Sequence, residues 1–423
     1  MRNNHFSILI YFFFFQFFLL FNISIKSQSV IPVYTPYVDV CQWPPFDITA
    51  TDSTGVCLYT LAFIVDDQFQ EGANPCWGGY SNLDLSWYSE EINTLREKGG
   101  DVIISFGGAS GIPLAYAASD ENELFSAYQT VINAYQLTGI DFDIEGMFVN
   151  EPSSIERRSK AMKLLLETFP DLKISLTLPV MPSGLTADGL NVIKQALLHN
   201  VDPHVINLMT MDYGVNGDMG NHSIAALNAT FTQVKNLYQE QGFAIADSAV
   251  WKKLGATPMI GQNDVAGEVF YQDDAVDLRN FAFEKNIGRL SIWSINRDVS
   301  CANDNDPLYQ CSHIDQDPFE FSYIFQMDGT INFCDGTTSQ LELSRFPNET
   351  VELYPNPTQE NIWINSEAKI IHLWLHDLTG KIILKVNPEK THLKIDLSRY
   401  PKGLYLLSLE TSSGWVNKKV IKE

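Results

Sequence analysis

Residues 139–146 read Gly-Ile-Asp-Phe-Asp-Ile-Glu-Gly, so Asp141, Asp143 and Glu145 alternate with Ile140, Phe142 and Ile144. A β-strand sends successive side chains to opposite faces, which puts the three acids on one face and the apolar residues on the other. On a strand covered from both sides, an acidic stripe is costly unless it looks into a polar cavity. Neighbouring acids on that face have Cα atoms roughly 6.6 Å apart. In a partly dry cleft two such carboxylates cannot both ionise freely, and one pKa rises. A carboxyl kept protonated near neutrality can act as a general acid. The blander reading is a strand end whose acids are merely solvated or salt-bridged. Strict period two inside an apolar strand closed by Gly146 favours a site.

Something must hold that strand. Apolar or alternating runs fall at Pro32–Val40, Leu58–Asp66, Asp101–Gly107, Gly139–Glu145, Lys173–Val180, Val205–Tyr213, Thr257–Gln262 and Arg289–Ile295. Helical patterns lie between most of them, for example at Ser89–Lys98, Glu121–Tyr135, Ser154–Thr168, Asn191–His199 and Asp274–Asn286. Eight strands in βα alternation over about 300 residues predict an α/β fold, a (β/α)8 TIM barrel. A doubly wound sheet would need a Gly-rich phosphate turn after the first strand, and Val40-Cys41-Gln42-Trp43-Pro44-Pro45 is not one. In a barrel the site lies where strands end. Phe106-Gly107-Gly108, Glu145-Gly146, Met211-Asp212-Tyr213-Gly214, Gln262-Asn263-Asp264 and Trp293-Ser294 all fall at such ends.

Composition narrows the partner. The net charge is −23, which leaves no basic face for a nucleic acid. A neutral polysaccharide fits more easily, and 12% aromatic residues is compatible with sugar stacking. The apolar run Ile8–Phe21, interrupted by Gln16, has signal-peptide length, with cleavage expected near Ser27–Gln28 and an uncleaved anchor as the alternative. The six cysteines, Cys41, Cys57, Cys76, Cys301, Cys311 and Cys334, show no Cys-x-x-Cys pair, and His204 and His313 show no metal-spaced partner, so neither metal nor cofactor is expected. Disulfides are the default in an exported chain; Cys301 and Cys311 flank a short polar loop and are candidates to pair. Asn-x-Ser/Thr sequons at Asn221, Asn228 and Asn348 are read as without consequence.

Residues 351–423 hold 10 Lys+Arg and 8 Asp+Glu, a net of 10 − 8 = +2, against 18 − 43 = −25 for the rest. Short alternating runs at Ile362–Asn365, Ile371–His376, Lys381–Lys385, His392–Leu397, Gly403–Leu409 and Trp415–Ile421, with turns at Thr379-Gly380 and Ser412-Ser413-Gly414, predict a small antiparallel β-sandwich. Four segments follow: a leader at 1–27, the barrel at 28–335, a linker at 336–350 and the sandwich at 351–423.

Over roughly 31–335 the chain resembles glycoside hydrolase family 18, the chitinase family. Asp141, Asp143 and Glu145 match the last three positions of its Asp-x-x-Asp-x-Asp-x-Glu motif, and Ser105-Phe106-Gly107-Gly108 matches its Ser-x-Gly-Gly motif. Gly261-Gln262-Asn263-Asp264 and Ile292–Asp298 look like a bacterial subgroup. The resemblance implies retaining hydrolysis assisted by the substrate, an exception to the two-carboxylate rule. Glu145 would protonate the glycosidic oxygen, Asp143 would orient the N-acetyl group that attacks the anomeric carbon, and Asp141 would tune Asp143. Trp293 would floor the distorted sugar. Phe106, Gly107, Met209, Asp212, Tyr213, Gln262 and Trp43 are the further expected substrate contacts, with Trp77 and Tyr80 open to either subsite or packing roles. The expected ligand is chitin or N-acetylglucosamine oligomers; cleavage of N-glycan cores, or binding without hydrolysis, are the alternatives. Two departures stand out. Thr138 replaces the motif's first Asp, and Tyr213 in Met209-Thr210-Met211-Asp212-Tyr213 is one residue late, which in a regular strand would flip its face.

The end of the chain resembles the type IX secretion sorting domain of certain Gram-negative bacteria, through Tyr354-Pro355-Asn356-Pro357, Asp377-Leu378-Thr379-Gly380-Lys381, Gly403-Leu404-Tyr405 and the basic close Lys418–Lys422. That implies export through the periplasm to the cell surface or medium, with the secretion machinery as a partner. A carbohydrate-binding sandwich is the alternative, in which Trp363, Trp374 and Trp415 would form a platform instead of core.

Overall fold

The computed structural model describes residues 32–215, 217–326, 351–376, 382–411 and 414–422. The leader 1–27, the linker 336–350, Cys334, the Asn348 sequon, the Asp377–Lys381 motif and the turn at Ser412-Ser413 lie outside the described residues.

Eight parallel strands form a ring. They are Val33–Tyr34 continued by Tyr37–Asp39, then Leu58–Asp66, Asp101–Gly107, Gly139–Asp143, Lys173–Pro179, Val205–Met209, Leu254–Thr257 and Arg289–Leu290. The first strand is interrupted at Thr35-Pro36, where proline lacks an amide hydrogen to give a ladder. It still closes the barrel from both sides. Val33 registers with Arg289, Tyr37 registers with Thr60, and the gap is bridged by Thr35 N to Leu290 O at 3.0 Å and Thr60 N to Pro36 O at 2.9 Å.

The helices bury one stripe each. In Glu121–Tyr135, capped by Asp120 at 2.8 and 2.9 Å, the buried residues Leu124, Ala127, Tyr128, Val131, Ile132 and Tyr135 recur at helical spacing. Pro152–Thr168 starts two residues earlier than expected because Pro152 sits in the first turn, where no amide is needed. Ala187–Leu198, capped by Thr186, and Gln272–Lys285 also start early. Met219–Glu240 and Asp247–Lys253 complete the later crossovers.

The last strands are shorter than their apolar runs. The sixth stops at Met209, and the chain turns at Asp212 with φ +52°. The seventh, expected at Thr257–Gln262, lies earlier, at Leu254–Thr257, and ends before Pro258; Gly261–Gln262 instead pairs with Val269–Phe270 in a hairpin. The eighth ends at Leu290, and Ile295–Arg297 is a single 3-10 turn.

Among the described cysteines, Cys301 and Cys311 are bonded, Cys57 is also in a disulfide, and Cys41 and Cys76 are free thiols. His313 comes near sulfur: its ligand atom lies within 4.8 Å of those of Cys301 and Cys311. Those two sulfurs are already joined to each other.

The chain's last part is six antiparallel strands around their own core, which includes Ile362, Ile364, Leu373, Leu375, Leu407 and Leu409. Two expected runs merge into one strand, Asn361–His376. Its first half pairs with Glu352–Tyr354 and Lys390–Asp396, its second with Ile382–Val386 and Gly403–Thr411. Trp363 is exposed and Trp374 half-buried, each with a lysine over its ring, so neither belongs to that core.

Candidate active site

The fourth strand carries its acids inward. Asp141 is fully buried and saturated as an acceptor. Tyr37 Oη and Ser105 Oγ donate to Oδ2 at 2.9 and 2.8 Å, Ser175 Oγ donates to Oδ1, and Thr177 Oγ1 lies 2.9 and 3.0 Å from the two oxygens. Arg289 Nη1 stands 3.6 Å from Oδ1 and donates to Ser175 Oγ at 3.0 Å. Asn207 extends the network to Thr177 at 3.1 Å and Thr257 at 2.7 Å. Strands one, three, five, six, seven and eight thus supply polar groups that a buried acid requires.

Asp143 lies one step higher, 7% exposed, with Oδ1 lacking a hydrogen-bond partner among the described residues. Its pKa is raised well above the usual carboxylate range, by burial first, then by the charges of Glu145 and Asp141. Glu145 is half-buried and also raised, by burial first and then by Asp212. The two carboxyls are close enough to share a proton. The strand ladder ends at Asp143, but Ile144 N still donates to Thr177 O at 3.0 Å, and Glu145 keeps an extended backbone with φ −128°. The two-residue alternation therefore runs to Glu145, and Gly146 at φ +54° turns the chain away.

Gly107 explains how tightly the third strand approaches. Its φ is +115°, and a Cβ there would stand 2.0 Å from the Asp143 carbonyl oxygen. Gly108 N donates to the same oxygen at 3.1 Å.

Trp293 stacks on Phe63, with centroids 5.4 Å apart and planes 21° apart, and meets Tyr37 edge-on at 6.0 Å. Since Tyr37 bonds Asp141, the indole lies beside the acid row. Met209, two residues beyond the inward Asn207, is 9% exposed on the same strand. Gln262 is half-buried, and Trp43 is 79% exposed in the loop after the first strand.

Asp212 is placed by its loop. Its Oδ1 accepts from Val265 N at 3.0 Å, and its own N reaches Asn263 Oδ1 at 3.4 Å. Burial, then Asp264 and Glu268, raise its pKa. Glu268, 1% exposed, takes Tyr213 N at 3.0 Å and Val215 N at 3.1 Å.

Two expected contacts are placed elsewhere. Phe106 is 3% exposed, against Tyr128 at 4.8 Å and Phe142 at 5.6 Å, so it packs under the helix layer. Tyr213 is 4% exposed and edge-on to His222 of helix Met219–Glu240. Strand parity would have kept it on the face of Asn207 and Met209, but the strand stops at Met209 and the positive φ of Asp212 redirects the chain. Trp77 is fully buried, donating to Tyr135 Oη at 2.8 Å, whereas Tyr80 is exposed. Thr138 lies at the strand's far end, 3.3 Å from Asp101.

Sequence reasoning missed Tyr37, Ser175, Thr177, Asn207, Phe63, Glu268 and the Arg289 guanidinium. Inward parity flags the strand hydroxyls, but only the ring's closure brings Tyr37 and Arg289 to Asp141.

Residues 352–423 match the family model of the secretion system C-terminal sorting domain. The "Probable bifunctional chitinase/lysozyme" of Escherichia coli strain K12 is 36% identical over 316 residues, 69% of this chain and 34% of its own length. "Endochitinase 11" of Metarhizium anisopliae is 36% identical over 288 residues, 64% of this chain and 53% of its own. The chain thus spans between a third and about half of these curated relatives. Active domain 2 of a thermostable chitinase from Pyrococcus furiosus, solved as catalytic-site mutants with chito-oligosaccharides, superposes with a TM-score of 0.63. It is 31% identical and covers 70% of this chain and 95% of its own. With its barrel, its acid row and these relatives, the chain belongs to glycoside hydrolase family 18, the chitinases.

Proposed function

We propose that this protein is an exported chitinase that hydrolyses β-1,4 bonds between N-acetylglucosamine units with retention at the anomeric carbon. The observation that carries the reading is the row of acids itself: Asp143 and Glu145, both raised by burial, stand above a fully buried Asp141 that Tyr37, Ser105, Ser175 and Thr177 hold in place. Glu145, half-buried at the rim, gives its proton to the glycosidic oxygen, and the substrate's own acetamide oxygen attacks the anomeric carbon to form an oxazolinium ion. Asp143 orients the acetamide and faces its developing positive charge. Glu145 then takes a proton from the incoming water. Trp293, stiffened by Phe63, supplies the flat apolar floor. Two relatives named as chitinases and a neighbour solved with chito-oligosaccharides support the substrate class. The sorting domain supports delivery to the surface or medium by the type IX machinery.

Glu145→Gln tests the acid. We expect kcat on a chito-oligosaccharide to fall about 100- to 10,000-fold with binding retained. Hydrolysis at the unmutated rate would remove Glu145 from this role, and a first-formed α-anomer would exclude the retaining route.

A further inference from the structure

The opposite end of the barrel has chemistry of its own. Where the strands begin, a cavity of about 200 Å³ opens, with a mostly aliphatic wall and the polar residues Thr138, Lys173, Ser175, His204 and Arg289. Its lining contains no carboxylate, in a chain of net charge −23. The acids nearby already have cations: Asp202 pairs with Lys253 at 2.8 Å and Asp101 with Arg96 at 2.9 Å. Among the described residues, Lys173 is in no ion pair. Arg289 is 6% exposed and held through one terminal nitrogen, Nη1, by Ser175 and Asp141. Its remaining N–H groups make no hydrogen bond among the described residues, and the residue forms part of the cavity wall. The cations reach His204: after burial, Lys173, Lys253 and Arg289 lower its pKa, against a smaller opposing effect of Asp202.

We propose that this cavity binds a small inorganic oxyanion, of phosphate or sulfate size, between Arg289, Lys173 and His204. A guanidinium presents paired donors to an oxyanion edge, and being nearly buried it strengthens the attraction. The volume selects the ion. At about 30 Å³ per water the cavity holds roughly six or seven waters, enough for a partly hydrated oxyanion. Pockets for drug-sized organic ligands begin near 300 Å³. The anion and Asp141 then flank one guanidinium, from below and from above.

Inorganic phosphate is titrated into the full chain by calorimetry, with melting temperatures read in parallel against sodium chloride at equal ionic strength. Saturable one-to-one binding is expected, with a melting temperature that climbs with phosphate and not with chloride. Sulfate should substitute. The double variant Lys173→Ala/His204→Ala should bind at least tenfold more weakly, and Lys173→Glu should bind weaker still. Both should hydrolyse chito-oligosaccharide at the unmutated rate in phosphate-free buffer. Absence of saturable heat, equal affinity in the variants, or an equal gain with chloride would overturn the site. Tight binding of N-acetylglucosamine 6-phosphate would overturn its size limit. These readouts do not depend on the catalytic assignment, so either can fail alone.

Discussion

Asp143 and Glu145 hold on to a proton more readily in the folded protein than in the unfolded chain. Burial raises both carboxyls, so the folded protein keeps that proton to higher pH than isolated side chains with values near 4. The resulting stabilisation is fully present below the unfolded carboxylate range and is lost as pH rises through the raised folded values. Hydrolysis should fall over the same alkaline side, because the proposed reaction needs Glu145 protonated. Asp143→Asn removes the like-charge strain. We expect it to melt above the unmutated protein at pH 7, with the gap closing towards pH 4, while kcat drops roughly 100- to 1,000-fold. Melting curves and rates across pH check both. Gly107→Ala is the backbone counterpart. With φ +115° and the Asp143 carbonyl where a methyl would go, it should cost about 3 kcal/mol in chemical denaturation.

Among the elements, the loop after the sixth strand depends on one acid from outside it. Glu268 takes the amides of Tyr213 and Val215 with its two oxygens, and so fixes the turn that aims Asp212. Glu268→Ala leaves both amides buried and unmet. It should lower stability by about 1–3 kcal/mol and raise KM for chito-oligosaccharide roughly tenfold, read by denaturation and steady-state kinetics. This clamp was invisible in the sequence because nothing local ties residue 268 to residue 213. The acid row was legible because a strand's period places its members with no knowledge of neighbours. The same rule does not reach Tyr213, because the sixth strand ends at Met209 and the positive φ of Asp212 resets the facing of the residues that follow. Strand ends were less legible. Apolar runs such as Arg289–Ile295 continue past the ladder into buried turns, and burial, not pairing, sets their composition. Phe106 misled for a related reason: it sits inside the motif, but odd and even positions of the third strand serve different layers.

For the whole molecule, two cores matter. One gathers residues between Tyr34 and Phe325, the other residues between Val351 and Val420, and they share no member. Removing residues 351–423 should leave kcat/KM on soluble chito-oligosaccharides unchanged within error while abolishing appearance of the enzyme outside the cell. Activity assays on the purified barrel and cell fractionation test the two halves of that statement.

The ring shuts only when the strand at residues 33–39 meets the one at 289–290, so the contacts that complete it span nearly the entire barrel sequence. Contacts of such long range form slowly. Tyr37 and Arg289 reach Asp141 only by that closure. A nascent or threaded chain short of its eighth strand therefore has the acid motif but not the seat beneath it, and should be catalytically silent until the circle is joined.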